Sequence, residues 1–261
     1  MFRSLTTAAT GMEAQQTKLD VTSNNIANVS TAGFKKGRAE FQDLMYQTVR
    51  SAGAVTGEGT RTPVGLQVGL GVRTVDVQRM HGVGDMRQTN NPLDVAIEGH
   101  GFFPVTLPNG DPVYTRDGAL KIDAEGRLVT SDGYPLVSDV SLPPDALSIT
   151  IGPDGTVSAQ VPGETAPVEV GRISLTTFAN PAGLETMGRG FYRETPAAGQ
   201  PLTAKPGENG MGSLSQGTLE MSNVKIVEEM IDLISGQRAY EVNARVVRAA
   251  DEMLQQTANL R

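Results

Sequence analysis

The two ends of this chain carry the periodicity of helices, and the long middle carries that of strands and turns. Near the N-terminus Leu5, Met12, Leu19 and Ile26 recur every seven residues. Near the C-terminus Ile226, Met230, Leu233, Tyr240, Ala244, Val247 and Leu254 follow the four-and-three spacing of one helix face, interrupted by Gln237 and Asp251. Such spacing stacks apolar side chains into a stripe, and a stripe needs a partner to bury it. The natural first partner is the other end of the same chain. Between the stripes lie most of the 30 glycines and 15 prolines, residues that stop helices and build turns. The pattern predicts an α+β chain: paired N- and C-terminal helices, coiled-coil-like, with a mainly antiparallel β domain of barrel or sandwich character.

The first helix is expected to end near Asn24, Asn25 and Asn28, because Asn tolerates the left-handed conformation and bonds to local backbone. Residues 30–33 then read as a turn. Phe41, Leu44, Met45 and Thr48 share one helical face and predict a second, short helix capping the β body. Glycines at 53, 57, 59, 65, 69 and 71 break every period in residues 51–71. Composition leaves a flexible linker and an interface loop equally open, and Val64, Leu66, Val68 and Leu70 alternate, as a strand or a segment lying along a neighbour would.

From residue 91 the strand signals sharpen. Leu93, Val95 and Ile97 alternate, Asp117-Gly118 is a tight-turn pair, and Glu125-Gly126 and Asp132-Gly133 supply further turns. Leu147, Ile149 and Ile151 lead into Pro153-Asp154-Gly155, with Val157 and Val161 returning as a hairpin. Val168, Val170, Ile173 and Leu175 change phase at Gly171, which predicts a bulge or a break. Residues 196–212 revert to loop chemistry, and Asn223 is placed to cap the last helix. The expected organisation is a helical domain of 1–30 with 223–261, a connecting segment of 31–90 with 200–222, and an outer β domain of 91–199.

A formal charge of -7 works against nucleic-acid binding. The tight basic cluster Lys35, Lys36 and Arg38 reads as a solvated turn. Cysteine is absent, which removes disulfides, thiolate catalysis and Cys-ligated zinc. Met1 to Asp20 lacks the apolar core of a cleavable signal, and no stretch approaches the roughly 20 apolar residues of a membrane span. Asp94 and Glu98 could be imagined as an acid and base pair, but their spacing reads as one solvated strand face. His81 and His100 share no metal-ligand spacing and read as surface or loop residues. Gly99-x-Gly101 lacks the third glycine and helix of a dinucleotide fingerprint. No catalytic, cofactor or metal site is expected, and a wall hydrolase is the only enzyme reading left.

The run Asn24-Asn25-Ile26-Ala27-Asn28-Val29-Ser30-Thr31-Ala32-Gly33-Phe34-Lys35 resembles the signature of the bacterial flagellar rod and hook family, with Asn24, Asn25, Asn28, Thr31, Gly33 and Phe34 as its marks. Asn91 to Gly99 with Gly101-Phe102-Phe103 resembles the opening of that family's β domain, Tyr114 to Gly118 its first hairpin, and Gln237 to Asn243 its C-terminal helix. Length and the stretch from Tyr46 to Arg73 resemble the distal-rod branch, the proximal-rod branch being the alternative.

The resemblance implies a structural subunit of a rigid helical tube that encloses an export channel and transmits motor torque to the hook. Helices would line the tube, with Leu5, Met12, Leu19, Ile26, Met230, Leu233, Tyr240, Val247 and Leu254 at the polymer interface. The implied partners are further copies of the chain, other rod proteins, hook subunits, the P- and L-ring bushing and the export apparatus. The implied location is the basal body across the periplasm, reached without a cleaved signal.

Overall fold

The computed structural model describes residues 2–53, 55–57, 60–138, 140–163 and 166–259. Helix α1 is Phe2–Ala27 and α2 is Ile226–Asn259. Both are proline-free, and α2 is rich in Ala, Glu, Gln and Met, the residues that lose least on becoming helical. Glu228 and Glu229 in the first turn of α2 complement the helix dipole. At 34 residues α2 is long, about 50 Å end to end. The chain divides into two compact units: Met1–Ile26 with Gly37–Gln78 and Lys225–Arg261, and Ala27–Lys36 with Arg79–Val224.

The first unit holds both helices and a nested β ribbon. Strand Gly37–Asp43 pairs with Val72–Arg79, Gln47–Arg50 with Leu66–Val68, and Val55–Gly57 with Thr60–Arg61. The last two pairings are antiparallel, and Leu44 N to Gly71 O at 2.9 Å and Gly53 N to Thr62 O at 2.8 Å continue the ladder between them. The short helix expected over Phe41 to Thr48 is therefore absent, replaced by two strands. Its apolar spacing had no core to face: Met45 is 86% and Tyr46 56% exposed. Long-range backbone pairing with a β-branched partner strand supplies the hydrogen bonds instead. The glycine-rich stretch is likewise a folded-back ribbon rather than a linker. Of its alternating residues, Leu66 and Val68 lie in a strand.

The second unit is built of strands and turns, with a 3-10 helix at Pro181–Gly183. A four-stranded sheet runs in the order Glu185–Gly188, Phe191–Arg193, Pro112–Thr115, Phe103–Thr106. A three-stranded sheet joins Ser148–Ile151, Thr156–Gln160 and Val168–Arg172. Val95–Glu98 pairs antiparallel with Ser213–Gln216, and Met86–Gln88 with Thr218–Glu220. Val95, Ile97, Phe103, Val105, Val113, Leu128, Val157, Ile173 and Leu175 fill the main core. A second cluster of Phe102, Tyr114, Phe178, Leu184, Tyr192 and Ala198 packs its rings edge to face, as Tyr114 and Phe178 do at 4.8 Å and 83°. The barrel character expected from the strand spacing is not found: among the described residues the sheets are short and none closes.

Turn chemistry holds where both flanking strands were visible. Pro153-Asp154-Gly155 closes a hairpin, and the register slips between Val157 and Ser158 opposite the phase change at Gly171. Asp117-Gly118 does not join two paired strands. The Pro112–Thr115 strand pairs back through Asn109-Gly110 instead, and Gly118 serves close approach, its carbonyl accepting Val95 N at 3.0 Å. Asn223 does not cap α2. Its Oδ1 accepts Lys36 N at 2.8 Å and its Nδ2 donates to Met80 O at 2.8 Å, which fastens loops to each other.

Candidate functional site

The signature after α1 is a sequence of backbone clamps. The buried Asn25 amide reads both polar groups of Gly37, accepting its N at 2.9 Å and donating to its O at 2.9 Å, and also donates to Glu229 Oε2 at 3.1 Å. Thr31 N returns to Asn28 O at 3.2 Å, and the Thr31 hydroxyl to Asn28 Oδ1 at 3.3 Å, so these two residues turn the chain. Asn24 sits on the exposed side of the helix end. Gly33 adopts φ +66°, and a Cβ there would lie 2.7 Å from the Arg116 carbonyl carbon and Asp117 N. Conformation and space both demand glycine. The Arg79 guanidinium lies 5.3 Å from the Phe34 ring centroid.

Lys35, expected in solution, is 1% exposed. Its Nζ lies 2.5 Å from Glu220 Oε1 and donates to Gly82 O at 2.8 Å. Arg116 Nε lies 2.5 Å from Glu220 Oε2, while Nη2 donates to Ile97 O at 3.0 Å and Nη1 to Gly101 O. Gly84 N completes the set at 2.8 Å from Glu220 Oε1. Charges this deep persist only when paired and hydrogen-bonded, and all three are. Burial alone would raise the Glu220 pKa, but Arg116 and Lys35 overcome it and hold the carboxyl below its ordinary range. Burial drives Lys35 down, with Glu220 opposing. The node fastens five separate stretches, around residues 35, 82–84, 97–101, 116 and 220, with Glu220 holding Lys35, Gly84 and Arg116, and Arg116 holding 97–101.

His81 lies in a loop, one of the two settings its sequence context implied, but half-buried rather than at the surface. It packs edge-on against Phe102 at 5.5 Å and Tyr192 at 5.3 Å. Burial, then the charges of Lys35, Arg116 and Arg79, push its pKa down to about 4. His100 is exposed. Asp94 and Glu98 do not share a solvated face: Asp94 is 8% exposed and accepts Asn91 Nδ2 at 2.9 Å, while Glu98 is exposed. Among the described residues no group of three acidic or histidine side chains is placed to hold a metal, and no helix is long and apolar enough to cross a membrane.

The stripe residues fall into two groups. Leu5, Met12, Leu19 and Ile26 on α1, and Leu233, Val247 and Leu254 on α2, are half-buried, whereas Met230 and Tyr240 are 54% and 41% exposed. The buried positions of α2 are Glu229, Gly236 and Ala250, spaced by seven, with half-buried Asn243 completing the track. They meet α1 residues: Lys18 Nζ is 2.9 Å from Asp232 Oδ1, and a Cβ on Gly236 would stand 3.1 Å from Leu19 Cδ2. A Cβ on Gly11 would stand 2.9 Å from Asn243 Nδ2. Small and polar residues make this track, so a search for large apolar spacing passes over it. Roughly opposite, at ~100° per residue, α2 presents Val227, Ile231 and Ile234, and along the flank of the track Val242 and Val246, each exposed, Ile231 by 63%.

Three family models match the chain: "Flagella basal body rod protein" over residues 5–35, "Flagellar hook protein FlgE/F/G D1 domain" over 96–159, and "Flagellar basal body rod FlgEFG protein C-terminal" over 215–260. The chain is similar to the flagellar basal-body rod protein FlgG of Buchnera aphidicola subsp. Schizaphis graminum, 46% identical over 260 residues and all of both chains. It is 47% identical over 263 residues to FlgG of Borreliella burgdorferi, covering 100% of this chain and 99% of the other. It is 46% identical over 261 residues to FlgG of Caulobacter vibrioides, covering the whole of both. The chain belongs to the FlgG family of flagellar basal-body rod proteins. A FlgG-family chain is a structural component of the flagellar basal body rather than an enzyme, and it assembles with other basal-body proteins. The buried node falls largely outside the legible marks: Lys35 and Arg116 stand in motif blocks without an assigned role, and no spacing rule connects positions 35, 116 and 220.

Proposed function

We propose that the chain is a distal-rod subunit that polymerises into a rigid helical tube, enclosing the export channel and transmitting torque to the hook. The observation that carries this is the two-faced α2. One face meets α1 through Gly236 and Asp232, while Val227, Ile231 and Ile234 on the opposite face and Val242 and Val246 on the flank are left in water. An exposed apolar stripe of this length on a helix whose other face is already engaged fits a second helix from a neighbouring copy. In this reading the terminal helices form a coiled-coil-like inner layer and the β domain lies outside. Leu5, Met12, Leu19, Ile26, Met230, Leu233, Tyr240, Val247 and Leu254 divide between the contact inside a protomer and that between protomers.

The distal position, rather than the proximal one, is supported by full-length similarity to proteins named FlgG and by the ribbon over residues 47–68. Its partners would then include other rod proteins, hook subunits and the P- and L-ring bushing. Delivery would be through the flagellar export apparatus without a cleaved signal, into the periplasm-spanning rod. Ile231→Asp tests the polymer contact without touching the α1 face. The expected outcome is a normally folded monomer by circular dichroism, no polymer by electron microscopy, and non-motile cells whose basal bodies stop short of the hook. Normal rods in this variant would refute the reading.

A further inference from the structure

The ionic node borders a cavity of about 320 Å³ whose lining includes Lys35, His81, His100, Phe102, Arg116 and Phe178. Charge around it does not balance. Lys35 and Arg116 share the single carboxylate of Glu220, and Arg79 is a third cation close enough to bear on His81. Donors are also in excess. An ammonium has three N–H groups and a guanidinium five. Lys35 uses one on Glu220 and one on Gly82. Arg116 uses Nε on Glu220, Nη1 on Gly101, and Nη2 on Ile97 and Gly99. One N–H remains on each. Among the described residues the Nδ1 of His81 is buried with no hydrogen-bond partner, while the Pro181 backbone lies close enough to the imidazole to favour its protonated form. Phe102 and Phe178 lower the local dielectric, which strengthens any charge the cavity receives. His100 and Gly210, both exposed, line the same cavity.

A small cavity with surplus cationic donors, an orphan imidazole nitrogen and aromatic walls suits a compact group carrying negative oxygens. We propose that this cavity binds one oxyanion, either a free tetrahedral ion or the carboxylate of an acidic side chain on a second copy of this chain. Lys35 and Arg116 supply the charge and His81 a third contact. The charged and titratable groups around His81 are Lys35, Arg79, Arg116 and Tyr192, with Glu220 and His100 at the margins of the site. An anion favours the protonated imidazole, so binding takes up a proton and tightens as pH falls.

The test is calorimetric titration of purified full-length monomer with sodium sulfate at constant ionic strength, at pH 7.5 and 5.5. Sulfate keeps its charge across this range, so any pH dependence belongs to the protein. The expected result is one saturable site whose affinity rises about tenfold on acidification. His81→Phe should flatten that dependence and weaken binding about tenfold at the lower pH. Thr177→Glu, which sets a carboxylate in the cavity wall, should abolish sulfate binding and provides a second variant if the first fails to fold. Repeating the titration on assembled polymer separates the sources: retained binding assigns a free ion, and exclusion assigns a neighbour's carboxylate. Both support the site. Absence of saturable sulfate binding to the monomer at either pH, or a folded His81→Phe with an unchanged profile, would overturn it.

Discussion

At the scale of single residues the decisive group is Glu220. Its carboxylate is 2% exposed and is the sole acid between Lys35 and Arg116. Glu220→Gln keeps the shape and removes the charge, leaving two buried cations without their counter-ion. Breaking such a pair costs about 3–5 kcal/mol, so chemical denaturation should register a loss of that size, whereas Glu228→Gln, at the exposed start of α2, should shift stability by less than about 0.5 kcal/mol. His81 supplies a pH dependence of known sign. Its folded pKa of about 4 lies below the ordinary 6.5, so in between the unfolded chain binds a proton that the folded chain refuses. Stability is then complete above pH 6.5 and falls by ~3 kcal/mol as pH drops toward 4. Melting curves of His81→Gln should lack that acid-side slope. Neither role could be read from the chain. A lysine beside another lysine is ordinarily a solvated turn, and only the pairing with Glu220, 185 positions away, makes position 35 an interior one.

At the scale of elements, what was local in cause was legible. The end of α1 at its asparagines, the Pro153-Asp154-Gly155 hairpin and the slip beside Gly171 are each set by residues within a few positions of one another. What failed was remote. Residues 41–48 have helical apolar spacing, yet 41–43 and 47–48 are strand because partners at 66–79 complete their hydrogen bonds. The track joining the terminal helices was passed over because Gly11, Gly236 and Asn243 are not apolar bulk. Gly236 gives a sharp test. Gly236→Ala brings a Cβ to 3.1 Å from the flexible Leu19 Cδ2, a crowding offset by the roughly 1 kcal/mol that alanine gains over glycine in a helix, so thermal stability should hardly change. Gly236→Leu has no such room and should cost about 1–3 kcal/mol. Equal effects from the two would show that the helices do not approach closely there.

At the scale of the whole molecule, the ribbon is the part least able to stand alone. Two strands in water are marginally stable, and this pair exposes Leu66 by 50%, with Val64 in the bend beside it 71% exposed. In the distal-rod reading those faces are covered in the polymer. Val64→Ser with Leu66→Ser should leave monomer stability within about 0.5 kcal/mol of the parent, while lowering the bending stiffness of assembled rods imaged by electron microscopy. Unaltered stiffness would leave the ribbon without a role in assembly.

The node also imposes an order in time. Lys35 lies early in the chain and Glu220 lies 185 residues later, and Arg116 waits between them with its own carbonyl partners already present at Ile97, Gly99 and Gly101. A chain delivered N-terminus first can assemble the Arg116 loop as soon as that stretch arrives. It cannot neutralise Lys35 until nearly the last element before α2 has followed. Until then the lysine stays hydrated, and the β unit remains openable. The carboxylate at position 220 is therefore the last group to join the node, and a chain cut anywhere before it leaves Lys35 without its counter-ion.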